Sequence, residues 1–279
     1  MDISARDLTG AGRLKCTVCQ TVMREVYQAT ILEKYIVSYF YCDSCGFLRT
    51  ESPYWLDEAY SSAIASSDTG LISRNFRVAR ALAALLFLAL RYDGKGRWLD
   101  YAGGYGMLTR LMRDKGFDFY WSDKHAPNLF AQEFGHEEGA IYDGVTAIEV
   151  LEHTEDPVAF LANLLQLSRT RTVVFTTELC PSPLPRPEEW WYFGLNTGQH
   201  IAFFQKRTLE AIAARLGVRY MCAGSLHVFS EQLPSKALTR IASSRLAVFI
   251  DVLAKRWLGS KVTSDHKLIA ERRKTNCDL

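Results

Sequence analysis

Net charge is what this chain of 279 residues has least of: 33 Lys and Arg stand against 31 Asp and Glu, a formal balance of +2. Binding along a nucleic-acid backbone needs a surplus of clustered cations, so no global footprint of that kind is present. Long apolar runs are missing too. The longest, ALAALLFLAL at 81–90, lies between Arg80 and Arg91. It is far short of the ~20 residues a membrane span needs, and it reads as a buried helix. The first residues carry no charged segment followed by an apolar stretch, so no signal peptide is expected. Cysteine is not arranged as a disulfide framework. Four of the seven cysteines sit in C-x-x-C pairs, which points to a reduced, cytoplasmic setting and a bound metal. What remains is 48% apolar and 23% charged, enough for a normal core. The length suits one large domain and a small one.

The chain is organised around 98–111, WLDYAGGYGMLTRL. Trp98 and Leu99 close a strand, Asp100 stands at its carboxyl end, and Gly103, Gly104 and Gly106 make a turn. Met107, Leu108, Leu111 and Met112 then form a helical stripe. Glycine at such a turn lets backbone approach a ligand, and ligands of open α/β sheets bind at the carboxyl ends of strands. The spacing is not the G-x-G-x-x-G of a dinucleotide site, which disfavours a nicotinamide enzyme. About 20 residues on, the strand FYWSD ends at Asp123, a position suited to ribose hydroxyls. Both of its carboxylate oxygens are expected to be free for a vicinal diol. A third segment, YDGVTAIEVLEHTEDP at 142–157, reads as a buried strand with Glu149 and Glu152 at its end.

These three segments, in this order, resemble class I S-adenosylmethionine-dependent methyltransferases. LDYAGGYG is similar to the family's L-D-x-G-x-G-x-G, with Ala102 in place of the first glycine. Asp143, Val145, Val150, Leu151, Glu152, His153, Asp156 and Pro157 match its fourth-strand motif. The resemblance implies an α/β, Rossmann-like seven-stranded sheet with helices on both faces and the last strand antiparallel. It implies S-adenosylmethionine as cofactor, held by Asp100, Ala102, Gly103, Gly104, Tyr105, Gly106, Asp123 and Glu149, with Lys124 and His125 flanking the adenine. The bland alternative for Lys124 is a solvated loop. The span from His125 to Tyr142 is short for the helix and third strand the family places there.

Ahead of this region, Cys16, Cys19, Cys42 and Cys45 bracket alternating apolar residues, as two knuckles bracket a hairpin. The expectation is a small zinc-ribbon-like β domain with a four-thiolate, closed and therefore structural Zn²⁺ site. Residues 1–13 read as loosely attached. Domains are expected at 1–53 (zinc-binding), 54–231 (methyltransferase) and 232–279 (a helical, basic extension). Tyr54, Trp55 and Tyr60 lie in the connector, as cofactor contacts or as packing between domains.

After a β-branched fifth strand at 170–178, Pro181, Pro183, Pro185 and Pro187 alternate in a stiff loop. Trp190, Trp191 and Tyr192 follow. They suit the C–H faces of a sugar, or an apolar lid on the core. GQHIAFF at 198–204 resembles a segment of methyltransferases from bacterial surface-polysaccharide and sugar-tailoring gene sets, and places Gln199 with the substrate. The general base is expected to be His200, or His153 beside Glu152. A helix at 206–216 ends at Gly217, and strands are expected at 218–224 and 225–231.

The function expected is methyl transfer to a small molecule: a sugar, nucleotide-sugar or glycan. The alternative is an RNA or protein methyltransferase docking through the ribbon. Lys15, Arg24 and Lys34 against Glu25, Glu33 and Asp43 make that ribbon poor in cations. A catalytically silent scaffold of the same fold is a further alternative. The ten Lys or Arg and four Asp or Glu of 235–279 suit a solvated face, an acidic partner or a membrane surface.

Overall fold

The computed structural model describes residues 14–60 and 68–277. The expectation for residues 1–13 lies outside that range. Two sheets build the molecule. The smaller is antiparallel: β1 (Arg24–Ile31), β2 (Tyr35–Tyr41) and β3 (Leu48–Thr50), completed by β8 (Ala202–Phe203) from far along the chain. The period-2 alternation of Val37, Tyr39 and Tyr41 buries one face of β2, as the sequence implies.

The larger sheet is mixed and runs β5–β4–β6–β7–β10–β9. Its strands are β4 (Arg97–Tyr101), β5 (Asp118–Ser122), β6 (Gly144–Ala147), β7 (Val173–Phe175), β9 (Arg219–Ala223) and β10 (Leu226–Ser230). The pairs β4–β5, β4–β6 and β6–β7 are parallel, and β10 is antiparallel to both its neighbours. The antiparallel last strand is as expected; among the described residues the sheet has six strands rather than seven. Residues 124–141 supply one isolated parallel bridge, Gly135 to Trp121, where a third strand was due. That segment holds Pro127, Gly135 and Gly139 and has Ile141 as its single β-branched residue. It closes instead on turns, with Asn128 Oδ1 accepting from Ala131 N at 2.8 Å.

Helices cover the sheet. After a single turn, α1 (Leu56–Ala59), comes α2 (Leu71–Ala84), which runs on into a π turn at Leu85–Ala89. The run 81–90 is mostly buried there, as its composition demands. Then follow α3 (Met107–Asp114), α4 (Pro157–Gln166), α5 (Lys206–Arg215), α6 (Lys236–Ala242), α7 (Ala247–Leu258) and α8 (Val262–Cys277). Asp156 caps α4, accepting from Val158 N and Ala159 N, and Pro157 takes its first position. The basic segment 262–277 is helical, in line with the helical extension expected there. It is helix α8, tied to α3 by Asp265, which accepts from Arg113 Nη2 and Nε at 2.7 and 2.8 Å and from Arg110 at 2.9 Å.

The two sheets share packing. Cys16, Cys45 and Phe47 belong to one apolar cluster with Leu99, Val145 and Phe175 of the larger sheet.

Candidate active site

Strands β4 to β7 present their carboxyl ends to one cleft of about 1710 Å³. That is larger than a pocket for one small ligand, at ~300–1,000 Å³, and leaves room for two molecules. The turn after β4 forms one wall. Asp100 is buried, its Oδ1 accepting from Thr146 Oγ1 (3.0 Å) and its Oδ2 from Thr109 Oγ1 (3.2 Å). Burial pushes its carboxyl up to about 7. Asp100 therefore braces the turn from beneath. Gly103 has to be glycine: a Cβ there would stand 2.6 Å from Asp100 Oδ2 and 3.1 Å from Trp121. Gly104 has φ +54° and would carry its Cβ into open space, so its bare backbone faces the cleft. Ala102, in the motif's glycine position, takes φ +54° without a glycine. Tyr105 lines the cleft; Gly106, at φ +84°, starts α3 against Asn128 and Ala131.

Asp123 sits at the end of β5, facing this turn. Its oxygens are not free, contrary to expectation. Oδ2 accepts from Gly104 N (2.9 Å), and Oδ1 accepts from His125 N (2.7 Å) and Ala126 N (2.9 Å). A carboxylate has about four lone-pair sites. Three are filled by the turn that Asp123 itself organises, which leaves one for a ligand hydroxyl rather than a bidentate grip. Lys124 and His125 line the same end of the cleft.

The opposite wall is made by 149–153 and 199–201. Glu149 has φ +57° and is fixed by Thr176, whose hydroxyl accepts from Glu149 N (2.8 Å) and donates to Oε1 (2.7 Å). Arg74, which no motif marked, approaches Glu149 Oε2 at 3.8 Å and pairs with Asp68 at 2.7 Å. Beyond Glu149, the chain turns so that Glu152 O accepts from Ile201 N (2.9 Å) and Gln199 O accepts from His153 Nδ1 (2.9 Å). These two bonds bring His200, 47 residues on in sequence, against Glu152 and His153. The two imidazoles lie edge to face, 5.0 Å between centroids. His200 Nδ1 donates to Tyr192 O at 2.6 Å. Burial holds both imidazoles below the usual histidine range, so both are neutral near pH 7. Glu152 is fully buried, and burial pushes its carboxyl up to about 7.

Tyr60 closes over this wall, its hydroxyl 2.9 Å from His153 Nδ1. Trp55 is packing: it is buried and donates from Nε1 to Gly198 O (2.8 Å). Tyr54 is exposed and packs on Tyr35 and Trp55. The aromatic loop divides in the same way. Trp190 and Tyr192 are mostly buried, packed with Phe193 and Phe203, and both still line the cleft, so their rings are part of its wall rather than an open platform. The lid reading describes them better, and Tyr192 serves chiefly as the carbonyl that orients His200. Trp191 is the exception, 76% exposed at the rim. Gln199 donates its amide to Ala59 O (2.8 Å), so its side chain is engaged in holding the connector.

The four ribbon cysteines converge at a distance from the cleft. Cys16 Sγ lies 3.5 Å from Cys45 Sγ, Cys19 Sγ 3.4 Å from Cys42 Sγ, and all four sulfurs fall within 4.8 Å of one another. Tetrahedral Zn–S bonds of ~2.3 Å set sulfurs about 3.8 Å apart, so the residues fit that ion. Helix α5 carries the knuckles. Thr208 Oγ1 donates to Cys45 O (2.9 Å), and Arg207 and Arg215 donate to carbonyls of residues 43, 44, 17 and 18.

Comparison with known proteins adds the following. Residues 73–223 match the family model described as "Methyltransferase domain". Among solved structures, the chain is similar to TnmH (16% identity, 64% of this chain and 62% of that one, TM-score 0.46). It is also similar to an O-methyltransferase family 2 protein from Planctomyces limnophilus DSM 3776 (16%, 65% and 65%, 0.45). A third is the magnesium protoporphyrin IX methyltransferase ChlM from Synechocystis PCC 6803 (17%, 63% and 94%, 0.40). The chain thus spans less than two thirds of the length of the first two. No curated protein matches it in sequence.

Proposed function

The chain belongs to the methyltransferase-domain family, and from that premise we propose that it transfers a methyl group from S-adenosylmethionine to a hydroxyl of a small molecule. The observation that carries this is the two-walled cleft: bare backbone and one spare carboxylate lone pair on one side, a buried cluster of proton-accepting groups on the other. The sulfonium donor supplies an activated methyl carbon, whose bond to sulfur breaks as the bond to the acceptor oxygen forms. On the first wall, Gly104 gives close approach to backbone and Asp123 accepts one ribose hydroxyl. Asp100 and Gly103 keep the turn in shape, and Lys124 and His125 border the adenine. On the second wall, the acceptor's proton goes to the lone pair of His200 or to Glu152, with His153 as their neighbour. Tyr192 O, by accepting from Nδ1, leaves the Nε2 of His200 as the basic nitrogen.

The acceptor is a sugar, nucleotide-sugar or glycan in this reading. Supporting it are Trp191, exposed at the rim of a cleft that Glu178 and Glu188 also line, and a volume beyond one ligand's needs. Docking of RNA on the ribbon is disfavoured by its charges: Arg24 is paired with Asp43 at 2.9 Å and Lys34 with Glu58 at 2.7 Å. Zn²⁺ in the four-cysteine cluster is structural, since four thiolates leave no open position. Free thiols of that kind suit a reducing, cytoplasmic compartment. Among the described residues no helix is long and apolar enough to cross a membrane. Contact with an anionic membrane surface is favoured by α7, which exposes Val248, Phe249, Val252, Leu253 and Trp257 together with Arg256.

The test is a pair of measurements. Calorimetry should show S-adenosylhomocysteine binding, and mass spectrometry of nucleotide-sugars and glycans incubated with the methyl donor should show a gain of one methyl. His200→Ala should lower turnover ~10²–10⁴-fold with cofactor affinity intact. Absence of S-adenosylhomocysteine binding by the folded protein refutes the reading.

A further inference from the structure

Resting on that reading, we propose that Glu152, His153 and His200 are ligands of a divalent transition-metal ion at the acceptor end of the cleft. Three observations on separate groups converge. First, one donor atom from each residue lies within 4.8 Å of the other two, and all three residues face the cleft. Ligand bonds of ~2.0–2.2 Å set neighbouring donors about 3–3.6 Å apart, so small rotamer changes close the set. Second, Glu152 has no exposed surface, and neither carboxylate oxygen has a hydrogen-bond partner among the described residues. A buried carboxylate left unpaired costs several kcal/mol, and such groups are normally paired or metal-bound. Third, each imidazole is oriented by a backbone carbonyl. His153 Nδ1 donates to Gln199 O (2.9 Å) and His200 Nδ1 to Tyr192 O (2.6 Å), which turns both Nε2 atoms into bare lone pairs. An Nδ1–H held by a carbonyl is the usual support behind a metal-ligating histidine.

Two imidazoles and one carboxylate select the ion. Mg²⁺ and Ca²⁺ prefer all-oxygen shells. A two-histidine, one-carboxylate set with open positions suits Mn²⁺, Fe²⁺, Co²⁺ or Zn²⁺. The open positions face the cleft, where an acceptor with two neighbouring hydroxyls can occupy them. The cation then supplies the charge against which the acceptor hydroxyl loses its proton, and that proton leaves to water. His200 is in that case a ligand rather than the base. Glu149, three residues before Glu152, is held by Thr176 and faces Arg74, and is no member of this set.

Mn²⁺ is the probe, because the hard ion does not compete for the four-thiolate cluster. Full-length protein that keeps its four-thiolate zinc, freed of loosely held ions by dialysis against a weak chelator, is titrated with Mn²⁺ and the free ion is read from its six-line EPR signal. One equivalent should disappear into wild-type protein. Glu152→Gln, which keeps shape and loses charge, and His200→Ala should each weaken uptake at least 10-fold. Excess Zn²⁺ should release the bound Mn²⁺. A wild-type signal identical to buffer up to millimolar Mn²⁺ overturns the proposal, as do folded variants that titrate like wild type. S-adenosylhomocysteine calorimetry on the same samples separates the two readings. Cofactor binding without Mn²⁺ uptake leaves the methyltransferase reading standing with His200 as direct base, and loss of both ends both.

Discussion

Asp100 offers the sharpest quantitative test, because its environment is fully specified. It is 1% exposed, packed beneath the glycine turn, and touched by two threonine hydroxyls rather than by a cation. Burial raises its carboxyl from 3.8 to about 7. A carboxyl raised on folding contributes stability that is complete below its unfolded value, near 3.8, and is lost as pH climbs to about 7. At ~1.4 kcal/mol per pH unit, the loss between pH 5 and pH 8 from this one group is about 3 kcal/mol. Asp100→Asn removes the titration and keeps the shape: its Oδ1 can accept from Thr146, and its amide can donate to Thr109 Oγ1. Urea unfolding of wild type and variant, without cofactor, should therefore show the variant gaining on wild type by about 3 kcal/mol between pH 5 and pH 8. The m-values should be equal, so that the difference is one of stability and not of the denatured ensemble. A variant-minus-wild-type difference that is the same at both pH values refutes the reasoning. It would mean that the Asp100 pocket admits enough water or charge to leave the carboxyl near its ordinary value.

Other outcomes follow from the same geometry. Asp123→Ala should weaken S-adenosylhomocysteine about 10- to 100-fold by calorimetry, since it removes one ligand contact and three backbone bonds that shape the turn; unchanged affinity contradicts the ribose assignment. Arg113→Ala removes two of the three charge-assisted bonds to the buried carboxylate of Asp265, leaving Arg110, and removes the pair with Asp118, so it should cost more than ~1 kcal/mol in urea unfolding, the ceiling for a surface pair. Cys16→Ser should release a tightly held zinc to a colorimetric chelator and loosen the β1–β3 sheet, seen as faster proteolysis there; a wild type that yields no zinc counts against the four-thiolate site. Trp191→Ala should raise the KM for the acceptor with cofactor affinity unchanged, because the exposed ring enters the cleft from the 187–200 segment rather than from the glycine turn.

The sequence by itself settled whatever depends on local spacing. The turn Asp100–Gly106, the acid Asp123 at the end of the next strand and the paired cysteines are each written within a short stretch of sequence. Each is read from requirements that neighbours cannot override: positive φ, a missing Cβ, a thiol pair. The sheet as a whole was less legible. The short segment 124–141 signalled a missing strand, yet the expectation of seven strands followed the family rather than that signal. Roles that depend on what fills a side chain's surroundings were decided by tertiary structure. Asp123 looked free because sequence does not show that three backbone N–H groups would already occupy it. Trp190 and Tyr192 looked like a binding platform because an aromatic run is the same string whether it faces solvent or core. The cluster of Glu152, His153 and His200 depended on two bonds between residues 49 and 46 apart in sequence, Ile201 N to Glu152 O and His153 to Gln199 O. Long-range pairing has no local signature, so the meeting of those three side chains was fixed only when β8 took its place in the smaller sheet and carried His200 to the cleft.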